Sequence, residues 1–182
     1  GEGPERQRLQ AVIDAAGLTS RVTLRGTTDA IGEAMAGAHL LAFPSRYEGF
    51  PNALAEAMAV GLPSVAIRDV SGVEDLLGDD RPGTVMPGLV VPNERQRGRE
   101  QTIASFASAL ERLMQDGGQR LAMGDRARAR VQAFSPGAVL PRWSNMLQSV
   151  IDGTRQTSAQ GQPVVVDHGA ASAQVAASAH GR

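Results

Sequence analysis

The chain has 182 residues, 42% of them hydrophobic, so it is long enough to bury a core of its own. Its formal charge is −1, from 18 basic and 19 acidic side chains, and no basic stripe runs through it, which argues against nucleic acid as a partner. The absence of cysteine excludes disulfides and thiol catalysis and fits a cytoplasmic setting, and no apolar run approaches the roughly 20 residues that span a bilayer.

From the N-terminus, Glu5 to Ala16 reads as an amphipathic helix with Leu9, Val12, Ile13 and Ala16 on one stripe, ended by Gly17. Arg21 to Arg25 reads as a short strand, and Asp29 is placed to cap a helix running to Ala36. His39 to Phe43 and Ser64 to Ile67 read as central strands with a helix between them. A loop over residues 78–88 is longer than such connections usually are. A helix is expected over Thr102 to Gln115, with Ile103, Phe106, Leu110 and Met114 facing inward. A second is expected over Gln119 to Ala133, with Leu121, Met123 and Val131 inward, and a third opens at Ser135-Pro136 and carries Trp143 and Leu147. From Gly153 onward, Ala, Ser, Gln and Gly dominate and the hydrophobic pattern is lost, so disorder is expected over 153–182.

Short apolar strands alternating with helices indicate an α/β domain, a Rossmann-like parallel sheet with flanking helices, over residues 1–152. Ligands of such sheets bind beyond the carboxyl ends of the strands, beside helix N-termini. The segment Pro44 to Met58 occupies that position, with Glu48 in the loop and Glu56 inside the following helix. Backbone N–H groups and the positive end of a helix starting near Pro51 or Asn52 can hold a phosphate without any basic side chain. Carboxylates beside a phosphate need neutral partners, and hydroxyl groups supply them, because an ionised carboxylate accepts what a diol donates. A phosphate flanked by polyols on both sides is a nucleotide sugar. A solvated loop glutamate and an exposed helical glutamate satisfy the same spacing.

The segment closely resembles the donor-site signature of the retaining GT-B glycosyltransferases of family 4, or group 1. That signature has the form PS-x-x-EGFPN-x-x-x-EAM-x-x-G-x-P, matched here by Pro44-Ser45, Glu48-Gly49-Phe50-Pro51-Asn52, Glu56-Ala57-Met58, Gly61 and Pro63. Gly1-Glu2-Gly3-Pro4, Val22 to Gly26, Gly72 to Leu77 and Gly88 to Pro92 are similar to further pieces of the family's C-terminal domain. The resemblance implies that Glu48 is the catalytic-site carboxylate beside the donor sugar hydroxyls and that Glu56 holds the ribose. It assigns the backbone of Gly49, Phe50, Pro51, Asn52, Ala53 and Leu54 to the diphosphate and sugar. Arg25, Gly26 and Thr27 fall in the region that fixes the base.

What the resemblance implies for activity is transfer of a sugar from a nucleotide diphosphate to an acceptor hydroxyl that attacks from the face the diphosphate leaves. It implies no protein nucleophile, no resident cofactor and no metal, the nucleotide sugar being substrate. The partners implied are that donor, an N-terminal acceptor domain that the chain does not carry, and a glycan or lipid-linked acceptor, some of it at the inner face of a membrane. The chain starts at Gly1 inside a turn motif that follows a strand in the family. It also has no lysine, so the lysine of the family's diphosphate-neutralising pair is missing. It therefore reads as the C-terminal part of a GT-B enzyme, one not expected to turn over by itself. A non-catalytic nucleotide-sugar-binding module, half of a split enzyme, and a nucleotide-sugar epimerase are the alternatives. His39 reads as structural, and His168 and His180 fall in the tail, so no metal cluster is expected.

Overall fold

In the computed structural model, residues 2–68, 72–78 and 86–151 are described. The chain divides into two compact units, residues 1–133 and 134–182. The expected tail over 153–182 and most of the 78–88 loop lie outside the described residues.

Within the first unit the elements run α1 (Arg6–Ala15), α2 (Ile31–Ala36), β1 (Leu41–Phe43), α3 (Asn52–Ala59), β2 (Ser64–Arg68), α4 (Val73–Leu77), β3 (Gly88–Pro92), α5 (Glu94–Arg97), α6 (Arg99–Gln115) and α7 (Gly117–Val131). The strands form a parallel sheet in the order β1-β2-β3. Register pairs Leu41 with Ser64 and Phe43 with Ala66 on one side, and Val65 with Leu89 and Ile67 with Val91 on the other. Strand order that follows chain order puts the crossover helices α3 and α4 on the same face of the sheet, since such connections are right-handed.

Two apolar clusters pack around the sheet. Val65 packs with Val91, Leu113 and Met123, backed by Leu40, Leu89, Phe106 and Leu110, so α6 covers this face. Met35, Ala57 and Leu62, with Leu41 and Val60, form a second cluster beneath α2 and α3. Gly88 is closely packed between β2 and α4: a Cβ there would lie 2.6 Å from the Ser64 carbonyl oxygen and 3.1 Å from the Leu77 side chain. α4 is too short to stand alone. The guanidinium of Arg130, from the last turn of α7, donates to the carbonyl oxygens of Leu76 and of Asp75 (2.7 Å), satisfying its open C-terminal end.

Several sequence expectations are corrected. Arg21 to Arg25 is not a strand: Arg21 lies in a turn, Val22 to Arg25 have no regular secondary structure, and none of them joins the sheet β1-β2-β3. Asp29 does not cap α2: the N-cap is Ala30, whose N–H donates to Thr28 Oγ1 at 3.1 Å. The inward stripe of α6 is Thr102, Phe106, Leu110 and Leu113, while Ile103 and Met114 are 58% and 68% exposed. In α7, Met123 and Val131 are buried as expected, but Leu121 is 75% exposed. In α1 only Ile13 is buried, and Leu9 and Val12 face solvent.

The second unit contains α8 (Pro136–Ile151), which opens as expected at Ser135-Pro136, with Ser135 Oγ accepting from the Ala138 N–H at 3.3 Å. Trp143 and Leu147 are each 55% exposed.

Candidate functional site

The signature segment bridges the carboxyl end of β1 and the amino end of α3. Phe43 is buried at the end of the strand, and the chain then turns through Pro44 to Pro51 before Asn52 begins the helix. Pro51 is the N-cap, fully buried, and its carbonyl oxygen accepts from the N–H groups of Leu54 (3.0 Å) and Ala55 (3.1 Å). The Asn52 N–H donates to the Phe50 carbonyl oxygen at 2.9 Å. Two amides of the expected phosphate cradle, those of Asn52 and Leu54, are thus already bonded within the turn, which leaves the loop as the donor-rich part.

Below this turn the packing is tight. Leu54, Ala57 and Met58 have no exposed surface and anchor α3 to the core, so its other side presents Asn52, Ala53 and Glu56 to solvent. Gly72, the N-cap of α4, has φ of +101°, and a Cβ at that position would lie 2.6 Å from Pro51 Cδ and 3.9 Å from Phe50 Cα. The start of α4 is therefore pressed directly against the Phe50-Pro51 corner, and only glycine permits it.

The two carboxylates are held differently. Ser45 Oγ donates to Glu48 Oε1 at 2.6 Å, so the half-buried Glu48 is fixed within its own loop and keeps one oxygen for a ligand. Glu56 lies on the exposed side of α3, one turn beyond Asn52, and Phe50 beside the loop is 41% exposed. Gly49 has open space around it, so its backbone can be approached closely. Arg25, Gly26 and Thr27 belong to a different neighbourhood. Gly26 has φ of +82° and lies against Glu2, and Arg6 donates to the Leu24 carbonyl oxygen at 2.9 Å, tying this turn to α1.

Sequence reasoning passed over two cations at the same end of the sheet. Arg46, two residues before Glu48, pairs with Glu94 at 2.7 Å, joining the signature loop to the start of α5. Asn93 caps that helix in a reciprocal capping box with Gln96. Arg68 ends β2 and faces Glu74 of α4 at 3.2 Å, although its Nε is buried without a well-aligned hydrogen bond. A charge closing an apolar strand at its carboxyl end was the available signal for Arg68. Arg95 and Arg97 are exposed on α5. Among the described residues no group of His, Asp and Glu is arranged to hold a metal.

Comparison with known proteins agrees with this geometry. The family model for glycosyl transferases group 1 matches residues 1–116. An alpha-D-kanosaminyltransferase of Streptomyces kanamyceticus is 34% identical over 129 residues, which is 70% of this chain and 30% of that protein. An exopolysaccharide phosphotransferase of Streptomyces coelicolor is 30% identical over 83% of this chain but only 15% of its own length. Among solved structures, the sucrose-phosphate synthase of Thermosynechococcus elongatus superposes with a TM-score of 0.67 at 26% identity, covering 84% of this chain and 36% of that one. The GtfA/B complex gives a TM-score of 0.72 at 26% identity, over 84% of this chain and 29% of that one. The chain thus spans well under half the length of these relatives. With the signature loop, the parallel sheet and the family match on the same residues, the chain belongs to the group 1 glycosyltransferases, with the α/β architecture of a GT-B enzyme.

Proposed function

We propose that residues 1–133 contain the donor-binding part of a retaining glycosyltransferase that moves a sugar from a nucleoside diphosphate to an acceptor hydroxyl. The observation that carries this reading is the Ser45–Glu48 hydrogen bond inside a loop that leads directly into the helix bearing Glu56. A carboxylate oriented by a neighbouring hydroxyl is a preformed acceptor for sugar hydroxyls. Glu56, on the solvent side of α3, is available to the ribose diol. The loop backbone from Gly49 to Leu54 faces the diphosphate between them.

In the reaction the anomeric C–O bond to the diphosphate breaks and a bond to the acceptor oxygen forms on the same face. The acceptor proton leaves with the diphosphate oxygen, and the nucleoside diphosphate is released. Negative charge grows on the leaving diphosphate, so its stabilisation is the main catalytic demand. Arg46 and Arg68 stand at this end of the sheet but are each paired with a carboxylate, and the chain has no lysine. Full turnover therefore calls for cationic groups and an acceptor domain from outside these residues. No helix among the described residues is long and apolar enough to cross a membrane.

Calorimetric titration of the chain with UDP, GDP and their sugars tests the reading. Saturable binding that Glu56→Ala weakens roughly 10- to 100-fold for nucleotide and nucleotide sugar alike supports it. Glu48→Ala is expected to harm the nucleotide sugar more than the bare nucleotide. Equal losses for both ligands in both variants would contradict the division of roles.

A further inference from the structure

A cavity of roughly 360 Å³ opens at the opposite pole of the sheet, where β1 and β2 begin. Its size falls in the range of small-molecule sites. Met35, Val60, Leu62 and Pro63 form an apolar floor continuous with the cluster beneath α2 and α3. Arg120, Arg128 and His39 stand around it, and among the described residues no carboxylate is part of its lining.

The two guanidinium groups are anchored before any ligand arrives. Arg128 Nη1 donates to the Val60 carbonyl oxygen at 3.0 Å and Nη2 to Asp125 at 2.8 Å. Its guanidinium lies flat over Gly61, where a Cβ would fall 1.8 Å from Nη1, so the positive φ of +73° there serves close approach as well as the turn. Arg120 Nη1 is held by the carbonyl oxygens of Leu113 and Met114, at the last turn of α6. Fixed guanidinium groups lose little freedom on binding an anion. Gly117 also lines the cavity, at the start of the 15-residue helix α7, whose N-cap Asp116 accepts from the Gln119 N–H at 2.8 Å.

We propose that this cavity is a second ligand site, separate from the signature loop, that takes a small amphipathic anion: a phosphate monoester or carboxylate on an apolar body. The apolar floor requires the body, and Arg120, bonded to main-chain carbonyls rather than to a carboxylate, requires the charge, Arg128 being already paired with Asp125. The absence of carboxylates from the lining argues against a sugar or a nucleoside, whose diols need acceptors. Because the signature loop leaves the far ends of the same strands, such a ligand binds without displacing the donor.

The test is an NMR titration of the full chain with 1-naphthyl phosphate, with 1-naphthol and inorganic phosphate as comparisons. The expected result is saturable movement of the His39, Gly61 and Gly117 amide signals, with a dissociation constant on the order of 1 mM or tighter. Naphthol and phosphate should each bind roughly tenfold more weakly. Leu121, 75% exposed at the cavity rim, permits a variant that spares the core. Leu121→Glu should weaken naphthyl phosphate roughly tenfold by like-charge repulsion at an unchanged melting temperature, and Arg120→Gln should weaken it as well. Absence of saturable movement at these amides, equal binding of naphthol, or indifference to Leu121→Glu would each overturn the proposal. Movement of the Gly49 and Ala53 signals instead would assign the probe to the donor segment and overturn it too.

Discussion

Ser45 removes a degree of freedom from Glu48 within the signature loop. A serine hydroxyl donating at 2.6 Å holds the carboxylate in one orientation, at the cost of one of its acceptor positions. Ser45→Ala is therefore expected to weaken nucleotide-sugar binding by about 1 kcal/mol, or roughly fivefold, and leave bare nucleotide nearly untouched. Titration of the variant with the two ligands side by side checks this. Gly72 makes a different kind of contribution, because its place is dictated by Pro51. Gly72→Ala should cost about 2 kcal/mol of stability or more, combining a φ of +101° with the clash against Pro51 Cδ. Denaturant unfolding measures the loss, and donor affinity should fall with it, since the displaced corner carries the signature loop.

At the scale of elements, the strands and helices around the signature were legible in the sequence, and the periphery was less so. β2 came out at Ser64–Arg68 against an expected Ser64 to Ile67, and β3 matched at Gly88–Pro92, because buried parallel strands are continuous apolar runs that little else resembles. The start of α3 matched because Pro51 and Asn52 leave few alternatives. The inward face of α6 was misread: Ile103 outranks Thr102 in hydrophobicity, yet Thr102 is the buried one. Its hydroxyl donates to the carbonyl oxygens of Gly98 (2.9 Å) and Pro92 (3.3 Å), so its burial costs little. Ile103→Gln should accordingly leave stability within about 0.5 kcal/mol. Leu113→Ala, ten residues on and fully buried, should cost about 2–5 kcal/mol. The contrast, read by thermal unfolding, distinguishes the observed face from the one that periodicity suggests. The strand expected at Arg21 to Arg25 failed for another reason: a strand is a property of a pair, and a single sequence shows only one member. Arg46 was invisible as a site neighbour because its ion pair spans 48 positions, whereas Arg68 carried a local signal, a charge at the carboxyl end of an apolar strand, that the reading passed over.

For the first unit as a whole, α7 is the element on which the others lean. Gly124 lets it lie against the α3–β2 turn, since a Cβ there would meet the Gly61 carbonyl oxygen at 2.3 Å. Arg128 and Arg130 then reach from the same helix to the carbonyl oxygens of Val60, Asp75 and Leu76. Arg130→Ala is expected to loosen α4 and cost about 1–3 kcal/mol, because two accepting carbonyls lose a charged donor. Faster hydrogen exchange at Gly78, whose N–H donates to Glu74 across the end of α4, would report it.

β2 is paired on both sides, and Ser64, Val65 and Ala66 have no exposed surface. Amides so placed exchange with solvent only when the whole unit opens. Their exchange rate is thus a clock for global stability, and any ligand that prefers the folded state slows it by a factor set by its concentration and affinity alone. A donor at one end of the strand and an anion at the other would slow the same clock, and if the two bind independently their factors would multiply. A departure from that product would measure the coupling free energy between the two poles directly, with no catalytic assay.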